Sequence, residues 1–118
     1  MDKVITCLYT GSDGESHFED IKIPLKDFKG LFECSDLIAA AGVIFQESTT
    51  AREHVWHCAP RRQYVITLAG EIEVEVGDGT KRVFGAGDVL LAEDATGRGH
   101  ITRPNRKMHH SAILIPLT

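Results

Sequence analysis

The sequence lacks long apolar stretches and has no excess of basic residues. No run approaches the roughly 20 apolar residues that a membrane-spanning helix needs, so we expect no segment embedded in a membrane. Thirteen Lys and Arg residues against seventeen Asp and Glu give a net charge of −4 with histidine neutral. This balance excludes the broad electropositive surface used in sequence-independent nucleic-acid binding. We therefore expect neither a membrane nor a nucleic acid among the partners of this protein.

Cysteine is scarce, and its spacing shows no pairing. Cys7, Cys34 and Cys58 are odd in number and form no C-x-x-C motif, which favours reduced thiols over a disulfide framework. Residues 1–7 have no long apolar region followed by a small-residue cleavage site, so we do not expect secretion. Together these features predict a cytoplasmic protein.

The chain has the size and composition of one globular domain. Its 118 residues, 42% hydrophobic and 25% charged, are enough for one core and too few for two ordinary domains. Apolar residues alternate with period 2 more often than 3.6, and about eight to ten short runs of this kind are separated by Gly and Pro turns. No helix is convincing. We therefore predict a single all-β domain, a small sandwich or barrel, over residues 1–118.

The centre of the chain carries the clearest strand pattern. Residues 63–68 and 71–76 predict two strands joined by a tight hairpin turn at 69–70. In the second strand, three apolar residues point to one face and three glutamates to the other, so one face meets a core and the other meets water or a partner subunit. The apolar residues are Ile72, Val74 and Val76, and the glutamates are Glu71, Glu73 and Glu75.

Two segments have no evident place in a minimal barrel. Residues 1–24 form a strand-like N-terminal arm, and residues 25–41 are interpreted as irregular. Because the open edge of a small barrel needs cover, we expect the arm at 1–24 to extend a sheet, in its own subunit or in the neighbouring one. This is the basis for predicting a homodimer.

Histidine placement suggests a site. Neutral imidazole is a common ligand for first-row transition metals, and a barrel brings distant strands together, so His57 and His100 are candidates for one cavity. Counting by twos from His57 places Gln63 on the same side of an uninterrupted strand, although Pro60 interrupts that count. His54 lies three residues before His57, which is the wrong spacing for the same strand face.

These residues carry a resemblance to the two motifs of the cupin superfamily, here at residues 51–70 and 87–104. The resemblance is to small single-domain, RmlC-like cupins. It implies a cupin-type jelly-roll β-barrel (a double-stranded β-helix), often dimeric, with an open cavity as the ligand site or active site. The first motif, G-x5-H-x-H-x3–4-E-x6-G, is represented by Ala51, His57, Ala59, Gln63 and Gly70, and the second, G-x5-P-x-G-x2-H-x3-N, by Gly87, Ala95, Gly97, His100 and Pro104.

The departures from the family pattern concern the metal ligands. A full cupin site has three imidazoles and one carboxylate, whereas the matching positions here supply His57, His100 and the neutral amide of Gln63. If a divalent transition metal (Fe, Mn, Ni or Zn) binds these three residues, we expect weak binding with water completing its shell. The alternative is that no metal binds and the histidines are hydrogen-bonded residues of a pocket or core.

Several polar residues near the motifs are candidates for ligand binding. Arg61 and Arg62 are consecutive, so on a strand one would point inward, where a guanidinium binds carboxylate or phosphate. The alternative is that one is solvated and the other pairs with Glu71, Glu73 or Asp94. Asp94 precedes His100 in a loop, and such an Asp–His pair suits acid–base chemistry, unless the loop carboxylates are simply solvated. We assign Arg61, Gln63 and Asp94 to ligand binding.

Four other features have a plainer interpretation. We expect surface or structural roles for His109 and His110, an inert thiol at Cys58, a packing role for Trp56, and turn geometry rather than anion binding for residues 97–99.

Function stays open between three classes at this point. The first is a small cupin enzyme acting on a small polar or anionic metabolite through His57 and His100, as a metal-dependent oxygenase or a metal-independent isomerase or epimerase. The second is a non-catalytic ligand-binding or sensing cupin. The third is a structural dimerisation module. The incomplete first motif shifts weight from the oxygenase to the isomerase or the binder, since fold alone does not specify a reaction.

Overall fold

The computed structural model describes residues 1–48 and 55–118 and is all-β in that part of the chain, as predicted. The described part holds no helix with the length and apolar character needed to cross a membrane. The eleven strands found in the described residues are β1 Asp2–Thr10, β2 Ser16–Pro24, β3 Lys26–Phe28, β4 Phe32–Cys34, β5 Ile44–Glu47, β6 Gln63–Ala69, β7 Ile72–Glu75, β8 Lys81–Phe84, β9 Val89–Ala92, β10 Ile101–Pro104 and β11 Ser111–Pro116.

The strands form one large sheet, one small sheet and a separate hairpin. The large sheet has six strands in the order β2-β1-β9-β6-β11-β5, and the small one has three in the order β10-β7-β8. Neighbouring strands are antiparallel except β1 and β9, which are parallel. The hairpin β3–β4 forms a two-stranded sheet of its own. This arrangement is consistent with a β-sandwich. The closed jelly-roll barrel expected from the resemblance stays a prediction.

The core lies where the two sheets pack, and the alternation of β1 shows how the sequence builds it. Leu8 points inward and is fully buried, whereas Ile5 and Cys7 point to the opposite face of the large sheet and are buried there by a second apolar cluster. Side chains two residues apart share a face of a strand, so one strand serves both layers. The inner cluster consists of Leu8, Ile72, Val74, Val76, Phe84 and Leu90.

The alternation predicted for the second central strand is confirmed. Ile72, Val74 and Val76 are buried in the inner cluster. On the opposite face, the Arg103 guanidinium donates hydrogen bonds to the carboxylates of Glu73 and Glu75 at 3.3 and 2.6 Å. A buried apolar face and a half-exposed charged face are the two consequences expected of period-2 patterning.

The predicted central hairpin is wrong. β6 pairs with β9 and β11 in the large sheet, whereas β7 pairs with β8 and β10 in the small one. Gly70 therefore carries the chain from one sheet to the other, packed so closely on the carbonyl of His109 that a Cβ would overlap it. Alternation requires only that one face of each strand be buried, and a strand facing β6 across the core satisfies this as well as a paired strand does.

The N-terminal residues also have a place within their own chain. β1 lies between β2 and β9 in the large sheet, with Thr6, Cys7 and Leu8 in parallel register with Leu90, Leu91 and Ala92. The β1–β2 pair covers the edge that β9 would otherwise expose. The segment outside the two main sheets is instead residues 26–39, within the stretch 25–41, and the hairpin β3–β4 in it corrects the expectation that this stretch is irregular.

Truncation of the inner core should destabilise the protein in proportion to burial. We expect Leu8→Ala to lower the free energy of unfolding by about 2–5 kcal/mol, because it removes contacts in a packed cluster. Val4→Ala, four residues earlier in β1 at an exposed position, should change it by no more than about 0.5 kcal/mol. Urea unfolding followed by circular dichroism measures both, and equal effects would contradict this placement of the core.

Candidate functional site

A cavity of about 480 Å³ opens between the two sheets, within the size range of small-molecule sites. Its walls combine an aliphatic surface from both sheets with polar groups. His57, Gln63 and His100 all line it, so the three residues singled out in the sequence lie in one cavity. The remaining lining residues are Gln46, Glu47, Ser48, Ala59, Pro60, Val65, Ile72, Val74, Leu90, Ala92, Thr102, Pro104, His110 and Leu114.

His57 and His100 are held side by side by their own backbone. The two residues form an isolated antiparallel bridge in which each amide nitrogen donates to the other's carbonyl oxygen, at 3.0 and 2.9 Å. Their ring centroids are 4.6 Å apart. Gly99 makes this approach possible: its φ is +82° and a Cβ there would overlap the carbonyl group of His57. The imidazole pair therefore depends on glycine at position 99.

Hydrogen bonds fix the orientation of both imidazoles. Nδ1 of His57 lies 3.0 Å from the carbonyl oxygen of Val55, which only accepts, so Nδ1 carries the hydrogen. Nδ1 of His100 lies 2.5 Å from Oδ2 of Asp94. When Nδ1 donates in this way, the lone pair of a neutral imidazole is on Nε2. Neither Nε2 has a hydrogen-bond partner among the residues that the structure describes, so both can take a proton or a ligand atom.

Asp94 is a buried carboxylate that supports His100. Its side chain is 0% exposed, and Oδ2 accepts a second hydrogen bond from the Ser16 hydroxyl at 2.7 Å. Oδ1 has no hydrogen-bond partner among the residues that the structure describes. The described hydrogen bonds of the carboxylate thus converge on the oxygen facing His100. Buried carboxylates are rare unless paired, so the solvated-loop interpretation does not apply to this residue.

The two consecutive arginines precede β6 rather than lying in it, so the expectation that one points inward and the other outward is wrong. Strand alternation begins only at Gln63. Both arginines are exposed: Arg61 donates to Oε1 of the buried Gln63 at 3.0 Å, and Arg62 pairs with Glu93. Arg61 therefore reaches the cavity through Gln63 and is not itself part of the cavity wall.

Glu93, the partner of Arg62, also accepts a hydrogen bond on the outer face of the large sheet. The Cys7 thiol donates to Oε1 of Glu93 at 3.1 Å, and burial together with this bond raises the pKa of the thiol to about 12. Burial by itself would raise the pKa of Glu93, but the hydrogen bonds from Arg62 and Cys7 hold it below its usual value. Cys7 is thus a protonated, unreactive thiol that joins β1 to the loop leading to Asp94.

His110 is a cavity residue that the sequence analysis missed. The expectation of a surface or structural role holds for His109, which is exposed and pairs with Glu47 at 3.1 Å. His110 is buried, with Nδ1 3.3 Å from the Ser48 hydroxyl and Nε2 3.3 Å from that of Thr67. Period-2 parity with the buried Ala112 and Leu114 of β11 was the available signal.

The loop before His100 has a structural role, because its polar groups are used in contacts within the chain. The amide nitrogen of Arg98 donates to the Gly14 carbonyl oxygen at 3.0 Å, so it is not free for an anion. The Arg98 guanidinium stacks 4.0 Å from the centroid of the Trp56 ring. Cys58 is half-buried and donates its thiol hydrogen to the Gly97 carbonyl oxygen at 3.2 Å. These contacts agree with the packing role of Trp56 and the turn role of residues 97–99.

The donor set at the cavity does not fit a tightly held divalent metal. Two imidazoles with oriented Nε2 atoms suit such an ion, but Gln63 is neutral and its oxygen accepts from the Arg61 guanidinium. Within residues 1–48 and 55–118, no group of three or more His, Cys, Asp or Glu side chains is arranged to hold a metal. Ala51 and His54, considered in the motif comparison, lie outside the described residues.

No protein-family model matches the chain, and no curated protein shows significant similarity to it. The cupin resemblance therefore rests on the motif residues alone. Function has to be argued from the geometry of the cavity.

Gly99 provides a test of the imidazole pair. We expect Gly99→Ala to destabilise the fold by more than the roughly 1–2 kcal/mol that a positive φ costs an L-residue, because the new Cβ pushes against the backbone of His57. Gly79→Ala is the matched control, since Gly79 has a φ of +88° but open space around it. Urea unfolding of the two variants gives the comparison. Equal losses would mean that the close approach at Gly99 contributes nothing.

His110 predicts a pH dependence of stability. Burial lowers the pKa of His110 below its ordinary value of 6.5, so the unfolded chain takes up this proton at a higher pH than the folded protein. Stability from this group is therefore complete above about pH 6.5 and is lost as pH falls through that value. Unfolding free energies at pH 7.5 and 5.5 should fall less steeply for His110→Gln than for the wild type. An unchanged slope in His110→Gln would contradict this role of His110.

Proposed function

We propose that the protein is a cupin-type jelly-roll protein whose cavity binds a small polar metabolite and transfers a proton on it without a metal. The observation that carries this proposal is the pair His57 and His100, each with Nδ1 held by an acceptor and Nε2 available, on the wall of one cavity. The buried Asp94 behind His100 supports it further.

The polar groups of the cavity favour a ligand with an anionic end. A guanidinium has five N–H donors, and Arg61 uses one of them on Gln63, so others remain for a carboxylate or phosphate at the cavity mouth. Gln63 is buried and presents its amide next to this position. The aliphatic wall of Val65, Val74 and Leu90 would contact the carbon chain of the ligand.

The Asp94–His100 pair accounts for the proposed chemistry. Nε2 of neutral His100 accepts a proton from a C–H group made acidic by a neighbouring carbonyl of the ligand. The electron pair of that bond moves toward the carbonyl oxygen, and the Asp94 carboxylate stabilises the resulting imidazolium through Nδ1–H. Return of the proton to a different carbon, or to the other face, completes an isomerisation or epimerisation. Atoms and electrons balance within the ligand, so no oxidant is needed.

His57 has a separate role in this scheme. Its ring lies 4.6 Å from that of His100, on the same side of the cavity, and its Nε2 is free to hydrogen-bond the carbonyl oxygen that gains charge. Stabilisation of such an oxygen by oriented donors is a large term in enzyme catalysis. For this step His57 acts as an imidazolium, which donates from Nε2 to the ligand while Nδ1 still donates to the Val55 carbonyl oxygen.

A non-catalytic binder is the second candidate. It is favoured by Ala59 and Gln63, which stand where the cupin motif has a histidine and a glutamate. In that case the imidazoles and Gln63 are hydrogen-bonding groups for a ligand that leaves unchanged.

The homodimer expected from the sequence also remains a proposal, and residues 26–47 supply its physical basis.

The proposed activity is tested by hydrogen exchange into candidate ligands. Wild-type protein in D2O with a panel of small hydroxy-keto acids and sugar phosphates should introduce deuterium beside the carbonyl of at least one compound, observed by NMR. His100→Ala should abolish this exchange. Asp94→Asn should reduce it by about 10²–10⁴-fold, the range of general acid–base contributions. The matched control is His17→Ala, which removes an exposed histidine that contacts Asp13.

Binding is measured separately so that the two candidates can be told apart. Malonate and inorganic phosphate, as anionic probes, should shift the imidazole signals of His57 and His100 in NMR spectra, and Arg61→Ala should weaken this shift. Shifts without deuterium exchange would favour the binder over the enzyme. Zinc added to the tag-free protein should be lost on desalting, and retention of one equivalent through both imidazoles would contradict metal-independent chemistry.

A further inference from the structure

Residues 26–47 form a continuous exposed segment that is rich in large apolar side chains. Every residue in this stretch is exposed in the isolated chain. Leu37 is 100% exposed, Phe45 80%, Leu31 74% and Phe32 64%. Scattered exposed apolar residues are normal, but contiguous ones mark an interaction surface. The remaining large apolar residues of the segment are Phe28, Ile38, Val43 and Ile44.

The hairpin β3–β4 within this segment cannot be stable alone. It forms a two-stranded sheet that pairs with no other strand, and its cross-strand pair Phe28–Phe32 remains half-exposed or more. An isolated two-stranded hairpin is marginally stable at best in water. Its apolar residues therefore need a surface to pack on, and the sandwich of the same chain does not provide it.

The C-terminal part of the segment, β5, is an edge strand of the large sheet. β5 pairs with β11 and is the last strand of the six-stranded sheet, and none of the strands that the structure describes pairs with its other side. Phe45 lies on this edge strand. An apolar edge strand is a template for pairing with another chain, and antiparallel pairing of β5 with a second β5 is compatible with a two-fold axis.

We propose that residues 26–47 form the interface of a homodimer, in which the segment of each chain packs against the same segment of a second copy. The eight apolar residues are 39–100% exposed, and at on the order of 100 Å² for each large apolar side chain they approach the roughly 800 Å² that each partner contributes to a standard interface. An isologous contact uses the same surface of both subunits. Residues 26–47 suit it, because the edge strand β5 and the apolar hairpin β3–β4 lie in one continuous stretch. The dimer places this contact at 26–47, and residues 1–24 stay within their own subunit.

The interface also bears on the cavity. Gln46, Glu47 and Ser48 line the cavity and directly follow the exposed residues Ile44 and Phe45. In the dimer, β5 would be held between β11 and the partner, which orders this wall of the cavity. The inference does not depend on proton transfer, because it rests on exposure and strand pairing alone.

Sedimentation velocity on the full chain at micromolar concentration tests the proposal. We expect twice the 13.0 kDa chain mass for the wild type. Phe32→Glu and Phe45→Glu should each raise the dimer dissociation constant by at least about tenfold, as expected for apolar anchors at an interface. Val83→Glu is the control, because it places the same charge at an exposed position of β8 outside the segment.

A second measurement keeps the proposal testable if a variant fails to fold. Amide hydrogen exchange of the wild type should show protection at residues 44–47 that decreases on dilution below the dissociation constant. A monomeric wild type, or a dimer that survives both substitutions, would overturn the proposal. Dissociation caused equally by Val83→Glu would also overturn it, since the interface would then not be confined to residues 26–47.

Discussion

The site depends on the hydrogen bonds that the buried carboxylate of Asp94 accepts. Its side chain accepts hydrogen bonds from Ser16, at the start of β2, and from the ring of His100, while its backbone carbonyl accepts from the amide of Ala59. Three segments far apart in sequence therefore meet at one residue. Removing a carboxylate from water costs several kcal/mol unless its partners are in place, so folding must bring these segments together. Orientation of His100 follows from that requirement.

The His57–His100 bridge extends this arrangement to the cavity wall. Backbone hydrogen bonds place the two rings side by side, and Gly99 permits the approach. The resulting pair has two oriented Nε2 atoms, and among the described residues no further His, Cys, Asp or Glu side chain joins them in a group that could hold a metal. A site with two oriented imidazoles and a supporting carboxylate is suited to moving protons.

Much of the local pattern could be predicted from the sequence, because burial of one strand face leaves a period-2 signal. The inward face of β7 follows from it, whereas the convergence of His57, Gln63 and His100 on one cavity was expected from their motif positions, since β6 begins only at Gln63. The pairing of strands did not, since β6 and β7 satisfy the same pattern in opposite sheets as they would in a hairpin. Arg61 and Arg62 show the same limit: parity arguments fail where the strand has not yet begun.

The all-β class and the alternation of buried and charged faces could be read from the sequence, because both depend on residues close together in the chain, whereas His57 and His100 were singled out by the motif resemblance. Only the tertiary structure decided that Asp94 is buried against Ser16 and His100, that His110 faces the cavity, and that residues 26–47 are left uncovered. These properties depend on which distant segments meet. Neither spacing nor composition encodes the environment of a loop carboxylate, since solvated and buried aspartates look alike until the surrounding chain is in place.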